Sequence, residues 1–293
     1  MALIVGVHGI AKHQSGRHQL LADWRPALLD GLERATSRRV ERVDLDLAFY
    51  GDVFLSPRGF GGRKGADDAD LLNRLGALDE IGDLDDEERT DVEELLSEIV
   101  TQEDVAGAAE DVAKEKGYTR TPTLVQLLLR AVGRRFTAAA AVTTFGVLRQ
   151  VRGYLRDEAL KAEIDQRVKQ GVLPGCRVLV GHSLGSVVAA EYLRQTPNHG
   201  IELLLTLGSP LGLRFVRGRF PTTPIVIPAW VNIRDRRDPV ACAGPLGTWW
   251  PQISETDDIV VENGADTHAV ERYLSRRATG EVLVRALPEL VGG

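Results

Sequence analysis

One serine of this chain lies in a sequence context that is typical of a nucleophile. Ser183 is the centre of Gly181-His-Ser-Leu-Gly185, which follows the apolar run Arg177–Gly181 and opens a helical pattern, Leu184–Arg194. A serine at a sharp turn from strand to helix projects its hydroxyl above the sheet, at the positive end of the helix. Such a turn strains the backbone, so the two glycines remove side chains that would collide. The pattern predicts that Ser183 attacks an electrophilic carbonyl carbon.

The turn at residues 181–185 resembles the nucleophile elbow of α/β-hydrolases of the esterase and lipase type. His8-Gly9 resembles the oxyanion loop of this family, and Thr206–Gly212 resembles a loop of its lipase-like members. Asp238 and His268 then follow Ser183 in the family's usual order of nucleophile, acid and base. The resemblance covers roughly residues 1–55 and 150–280. It implies a hydrolase core reduced at the N-terminus, since the chain starts at the strand that carries the oxyanion loop.

The resemblance also implies which residues activate the serine. A serine hydroxyl needs a base to take its proton, and His268 lies just after the last predicted strand, where the family places that base. Asp238 follows the predicted strand Ile225–Arg234 and matches the loop of the acid, which holds the imidazole in one tautomer and stabilises its charge. Motif spacing does not separate neighbouring carboxylates, so Asp235 and Asp266 remain alternatives.

The tetrahedral intermediate of acyl transfer carries a negative oxygen that backbone amides stabilise. We expect the amide of Leu184 to be one donor and the loop with Gly9 and Ile10, chiefly the amide of Ile10, to supply the other. These residues would cleave a carboxylic ester, or a related acyl bond of a small molecule, through an acyl-enzyme. Lipases, thioesterases, peptidases and acyltransferases use the same groups, so they remain alternatives. An interaction module built on a degenerate hydrolase core is another.

The elements that position these residues follow a pattern of alternating strands and helices. Helical patterns cover Leu20–Ala35, Leu184–Arg194 and the stretch before Gly171. This alternation predicts an α/β fold with a mostly parallel twisted sheet and helices on both faces. Short apolar runs between turn residues predict six strands: Ala2–Val7, Val43–Phe49, Arg177–Gly181, Glu202–Leu207, Ile225–Arg234 and Ile259–Glu262.

One interval is far longer than a crossover needs. About 125 residues separate the second predicted strand from the third, whereas a dozen or more suffice. Thr90 with Glu93 matches a capping box, Thr121-Pro122 is typical of a helix start, and residues 150–170 predict one crossover helix. We therefore expect residues 1–61 and 148–293 to form the core and residues 62–147 to form an all-helical cap or lid, which covers the site and sets substrate choice.

Charge is divided unevenly along the chain. Residues 67–116 hold 19 acidic and four basic residues, whereas residues 120–169 hold ten basic and four acidic ones. We expect an acidic helical layer to pack beside a basic one, with recruitment of a basic protein partner as the alternative. The formal net charge of −6 gives no reason to expect a nucleic acid.

Other sequence features favour a cytoplasmic protein that needs no cofactor. The two cysteines form no disulfide framework, and no His, Cys and Asp residues show metal-ligand spacing. The apolar run begins directly after Met1 with no basic residues before it, which predicts a buried strand and not a secretion signal. The longest nearly uncharged stretch, Phe136–Leu148, is too short to be a transmembrane segment.

Overall fold

The structure, a computed structural model, describes residues 3–9, 16–54, 84–114, 123–221 and 224–291. Their strands form one six-stranded sheet in which every pair is parallel, in the order β2-β1-β3-β4-β5-β6. The predicted α/β class and all six predicted strands are confirmed. The strands are β1 (Ile4–Val7), β2 (Leu45–Ala48), β3 (Val178–His182), β4 (Leu203–Leu207), β5 (Ala229–Asp235) and β6 (Asp258–Val261).

The strand ends differ from the predicted ones where a residue cannot join the sheet. The fifth strand starts at Ala229 and not at Ile225. Pro228 directly precedes it, and a proline has no backbone N–H with which to continue the ladder of hydrogen bonds. The start of β5 is therefore set by this proline.

Helices cover both faces of the sheet. Within the described residues they are α1 (Arg17–Thr36), α2 (Asp86–Ser97), α3 (Gln102–Lys114), α4 (Leu124–Arg135), α5 (Ala138–Arg156), α6 (Glu158–Gly171), α7 (Leu184–Gln195), α8 (Arg214–Arg219), α9 (Val270–Leu274) and α10 (Arg277–Ala286). None of these helices is long and apolar enough to cross a lipid bilayer.

Helix starts depend on which polar side chain reaches the free amides of the first turn. Helix α2 starts earlier than the predicted Thr90, because the Asp85 carboxylate accepts the Glu88 amide and acidic residues suit the positive end of a helix. Thr90 lies inside the helix. Helix α4 is capped by Thr123, while the predicted start at residues 121–122 lies outside the described residues.

The predicted crossover helix over residues 150–170 is wrong in one respect, because two helices share this stretch. Asp157 has an extended backbone, with φ −97° and ψ 102°. Its carboxylate accepts the amides of Ala159 and Leu160, which ends α5 and starts α6. An aspartate that bonds nearby backbone amides competes with a continuous helix.

Two apolar cores lie on the two faces of the sheet. One contains side chains of α1 and α10, such as Trp24, Leu28 and Leu283. The other contains buried side chains of α2, α4 and α5 in the same cluster as those of α7, for example Leu95 and Leu184. Helix α5 also runs across residue 147, where the sequence suggests a boundary between insertion and core. The described helices between β2 and β3 are therefore built into the main core.

The acidic helices α2 and α3 pack beside basic side chains of the following helices. Asp91 is buried and accepts hydrogen bonds from Arg152, Arg156 and Arg219. Further pairs are Arg134–Asp111, Arg135–Asp104 and Arg149–Glu88. Several charges of the described acidic helices are thus paired with basic residues of the same molecule.

Candidate active site

The candidate residues come together at the carboxyl edge of the sheet. In a parallel sheet all strands end at one edge, which is where ligands of α/β proteins bind. Ser183 follows β3, Asp238 follows β5 and His268 follows β6. In the register, Val7 of β1 pairs with Gly181 of β3, so the residues after β1 lie beside the serine turn.

The turn at Ser183 forces a backbone conformation that residues with a side chain rarely adopt. Ser183 has φ 54° and ψ −130°. A Cβ at Gly181 would lie 2.5 Å from the Cα of Ser186, and one at Gly185 would lie 2.0 Å from the carbonyl oxygen of Val7. The Ser186 amide and hydroxyl both donate to the Ser183 carbonyl, at 2.9 and 2.6 Å. The two glycines and Ser186 thus let the helix approach the sheet and hold the turn.

Three buried side chains form a continuous chain of hydrogen bonds. The Ser183 Oγ lies 2.9 Å from the Nε2 of His268. The Nδ1 of the same ring lies 2.8 and 3.0 Å from the two carboxylate oxygens of Asp238. Asp238 is fully buried, and a buried charge is stable only when it is paired and hydrogen-bonded. In this arrangement Nδ1–H donates to the carboxylate, which leaves Nε2 free to accept the serine proton.

The structure distinguishes the three candidate acids. Asp235 is buried, but its carboxylate accepts the backbone amides of Asn263 and Arg237 and makes no contact with His268. Asp266 is exposed at the mouth of the site. Asp238 is therefore the candidate acid whose carboxylate meets the imidazole.

Two of the three candidate oxyanion-hole residues lie beside the serine. The amide of Leu184 is the first of α7, and amides of a first turn have no acceptor within their helix. Gly9 is so close that a Cβ there would lie 2.5 Å from the Cβ of Ser183. Ile10 lies outside the described residues.

The loop after β1 is held by a buried histidine. The Nδ1–H of His8 donates to the Gly9 carbonyl at 2.9 Å, and its Nε2 accepts the Tyr50 amide at 3.2 Å. The Tyr50 hydroxyl donates to the His8 carbonyl. Burial lowers the pKa of His8 from 6.5 to about 4, so its ring is neutral at neutral pH. The neutral ring matches this pattern of one donor and one acceptor.

Two further buried residues, His182 of the serine turn and Tyr273, lie beside these groups, and the sequence predicts a role for neither. The Nε2–H of His182 donates to the carbonyl of His268 at 2.8 Å, and burial together with His268 holds the pKa of His182 well below its usual range. The Tyr273 hydroxyl donates to Asp238 at 2.7 Å. The sequence offers one hint, because Tyr273 lies five residues after His268.

A cavity of about 250 Å³ opens above Ser183. One wall comes from Thr143 and Val147 of α5, which belong to the segment predicted to cover the site. Further lining residues come from α1 and from the segment around His268: Leu20, Asp23, Trp24, Asp266, Ala269, Val270 and Glu271. Across the described part of the chain, no group of three or more His, Cys, Asp or Glu side chains is arranged to hold a metal ion.

Comparison with known proteins found no matching family model, no matching curated protein and no matching solved structure.

Proposed function

We propose that this chain is a serine hydrolase that cleaves a carboxylic ester, or a related acyl bond of a small molecule, as its resemblance to α/β-hydrolases implies. Ser183 is the nucleophile, His268 the general base and Asp238 the acid of the triad. The observation that carries the proposal is the hydrogen-bond chain from the Ser183 hydroxyl through His268 to Asp238. A triad is recognised by such geometry and by the roles of its members.

Acylation begins when the Ser183 Oγ attacks the carbonyl carbon of the substrate. His268 Nε2 takes the hydroxyl proton as the new C–O bond forms, and the carbonyl electron pair moves onto oxygen. The intermediate then collapses: the bond to the leaving group breaks, and that group takes the proton from His268. Asp238 stabilises the imidazolium between these two steps without taking its proton.

Deacylation repeats these steps with water. His268 Nε2 takes a proton from the water molecule, whose oxygen attacks the acyl carbon. The ester bond to Ser183 then breaks, and the serine oxygen recovers the proton from His268. In both halves the anionic oxygen accepts the amide of Leu184 and an amide of the loop at Gly9 and Ile10. One such donor typically contributes about 3 kcal/mol to the barrier reduction.

Substrate choice is set at the walls of the cavity. Thr143 and Val147 bring helix α5 to the site, which supports the proposal that the segment between β2 and β3 selects the substrate. Thioesters, amides and transfer to a second acceptor would use the same groups, and fold alone does not choose among them.

Labelling with a fluorophosphonate probe tests the proposed nucleophile. Attack on the probe forms a bond between Ser183 Oγ and phosphorus, expels fluoride and leaves the proton on His268. We expect the natural protein to be labelled and Ser183→Ala to remain unlabelled. Ser97→Ala is the matched control, because Ser97 is exposed on α2 and its hydroxyl donates to the Glu94 carbonyl of its own helix.

Two results would contradict the proposal. A natural protein that is folded but unlabelled would favour an interaction module on a degenerate core. Equal labelling of the natural protein and Ser183→Ala would place the nucleophile elsewhere. A panel of p-nitrophenyl esters and thioesters of increasing acyl length then measures which acyl bond is preferred.

A further inference from the structure

We infer that Tyr273 is a positioning residue of the proposed hydrolase, whose hydroxyl fixes the orientation of the Asp238 carboxylate toward His268. This inference rests on the proposed function of Ser183. It adds to the three triad residues a fourth buried side chain that touches the acid and not the substrate.

The Asp238 carboxylate is held by three donors from three parts of the chain. Tyr273 donates its hydroxyl to Oδ2 at 2.7 Å, and the Val240 amide donates to Oδ1 at 2.9 Å. His268 Nδ1 lies against both oxygens. The Val240 amide belongs to the same turn as Asp238, so besides the base His268 itself, Tyr273 is the side chain that ties the carboxylate to a distant part of the chain.

The tyrosine hydroxyl also anchors the end of the strand that carries the acid. It accepts the backbone amide of Asp235 at 3.0 Å while it donates to Asp238. One hydroxyl thereby connects the last residue of β5, the acid three residues later and helix α9, which begins two residues after His268. The acid and the base are thus attached to the same short helix.

The surroundings keep this hydroxyl a donor. Tyr273 is fully buried, and burial together with the charge of Asp238 raises its pKa well above the usual range, so it remains protonated. Gly208, with φ 54°, provides the space for the contact. A Cβ at this position would lie 2.8 Å from Asp238 Oδ2 and 2.9 Å from the Tyr273 ring. The loop after β4 is therefore shaped around the tyrosine–carboxylate pair.

Loss of this hydroxyl would remove a donor that holds the Asp238 carboxylate in place. The carboxylate could then rotate away from His268, which lowers the rate, since catalysis depends on orientation. This loss leaves the His182 ring, 4.9 Å from the His268 ring, and the carboxylates that line the cavity, Asp23, Asp266 and Glu271, in place.

The substitution Tyr273→Phe tests the inference, with Tyr154→Phe as a matched control. Tyr154 is equally buried and donates to the Asp165 carboxylate at 2.6 Å, in the contact between α5 and α6. The readouts are the second-order rate constant of fluorophosphonate labelling, the NMR resonance of the Nδ1 proton of His268, which reports its hydrogen bond to Asp238, and the thermal unfolding temperature. For Tyr273→Phe we expect a rate constant about tenfold lower and a shifted Nδ1 proton resonance. For Tyr154→Phe we expect a comparable loss of thermal stability with an unchanged rate constant and Nδ1 proton resonance.

Each outcome bears on the inference. A folded Tyr273→Phe variant with the natural rate constant and Nδ1 proton resonance would overturn it, and so would an equal loss of rate in Tyr154→Phe. If Tyr273→Phe does not fold, 3-fluorotyrosine placed at position 273 alone gives a more acidic hydroxyl and a stronger bond to Asp238. The Nδ1 proton resonance of His268 should then shift, and an unmoved resonance would overturn the inference. Absence of labelling in the natural protein would instead reject the proposed function.

Discussion

At the scale of single residues, the candidate site depends on histidines that stay neutral. His8 and His182 are both buried, and burial is the largest cause of the lowered pKa of each. Each ring uses a nitrogen proton to hold a backbone carbonyl, of Gly9 and of His268 respectively. Neutral rings therefore fix the two loops that flank Ser183 without adding charge to the cavity.

His8 makes stability depend on pH. Its pKa falls from 6.5 in the unfolded chain to about 4 in the folded one, so the unfolded chain binds more protons between these values. The free energy of unfolding should therefore fall as pH decreases from about 6.5 to about 4, by up to about 3 kcal/mol from this residue. His8→Gln, which retains an acceptor for the Tyr50 amide, should show a flatter dependence in urea denaturation. Parallel curves for the two proteins would contradict this.

At the scale of elements, a carboxylate from the segment between β2 and β3 caps a helix of the rest of the fold. Glu98, at the C-terminal end of α2, accepts the backbone amides of Arg214 and Phe215, at 2.5 and 2.9 Å. These amides begin helix α8, which follows the loop after β4. A charged acceptor at the positive end of a helix satisfies amides that have no partner within it.

Removal of this cap should destabilise the protein. We expect Glu98→Ala to lower the free energy of unfolding by about 1–2 kcal/mol, as for loss of other helix caps. Glu98→Gln retains an oxygen acceptor and should lose about half as much. Chemical denaturation of the three proteins gives these differences, and equal stability of the natural protein and Glu98→Ala would show that water replaces the cap.

The strands were the elements that the sequence predicts best. Strands buried on both faces appear as short apolar runs between glycines and prolines, as in Glu202–Leu207. Helix ends depend instead on which side chain reaches the first amides. Asp85 and Asp157 supplied caps that the motif at Thr90 and the apolar pattern over residues 150–170 did not reveal.

The candidate site was predictable where a motif or the order of residues along the chain identifies a residue. Ser183 and His268 could be chosen from motif and position. Asp238, and not Asp235, contacts the imidazole because of the turn after β5. In this turn the Asp238 amide donates a hydrogen bond to the Asp235 carbonyl. Tyr273 reaches the acid through the packing of α9 beside α1, and its spacing of five residues from His268 does not by itself encode that contact.

At the scale of the whole molecule, the helices between β2 and β3 share the main apolar core with α7. Val92, Leu128 and Phe145 belong to the same cluster as Val187 of the serine-bearing helix. A variant lacking residues 62–147 would remove these side chains and expose the core. We expect such a variant to fail to fold, so substitutions in the cavity wall are the better test of substrate choice.

Thr143 is the position at which to test whether α5 takes part in substrate choice. Thr143→Phe adds bulk to the wall of a cavity of about 250 Å³, so activity should fall more for long acyl esters than for acetate. Ala139→Phe is the control, since Ala139 is exposed on the same helix one turn earlier and does not line the cavity. The measurement is kcat/KM over a series of p-nitrophenyl esters. An unchanged chain-length profile in Thr143→Phe would contradict a role of α5 in selection.

The strained backbone of Ser183 has a consequence for which residue evolution would keep at this position. Its left-handed conformation costs about 1–3 kcal/mol for a residue with a side chain, and glycine would adopt it more easily. Selection for stability alone would thus favour glycine at this turn and discard the hydroxyl. The chain carries a serine there, with its imidazole and carboxylate in place. A protein retained only for binding gains nothing from this strain, whereas one that turns over acyl bonds uses the hydroxyl that the strain exposes.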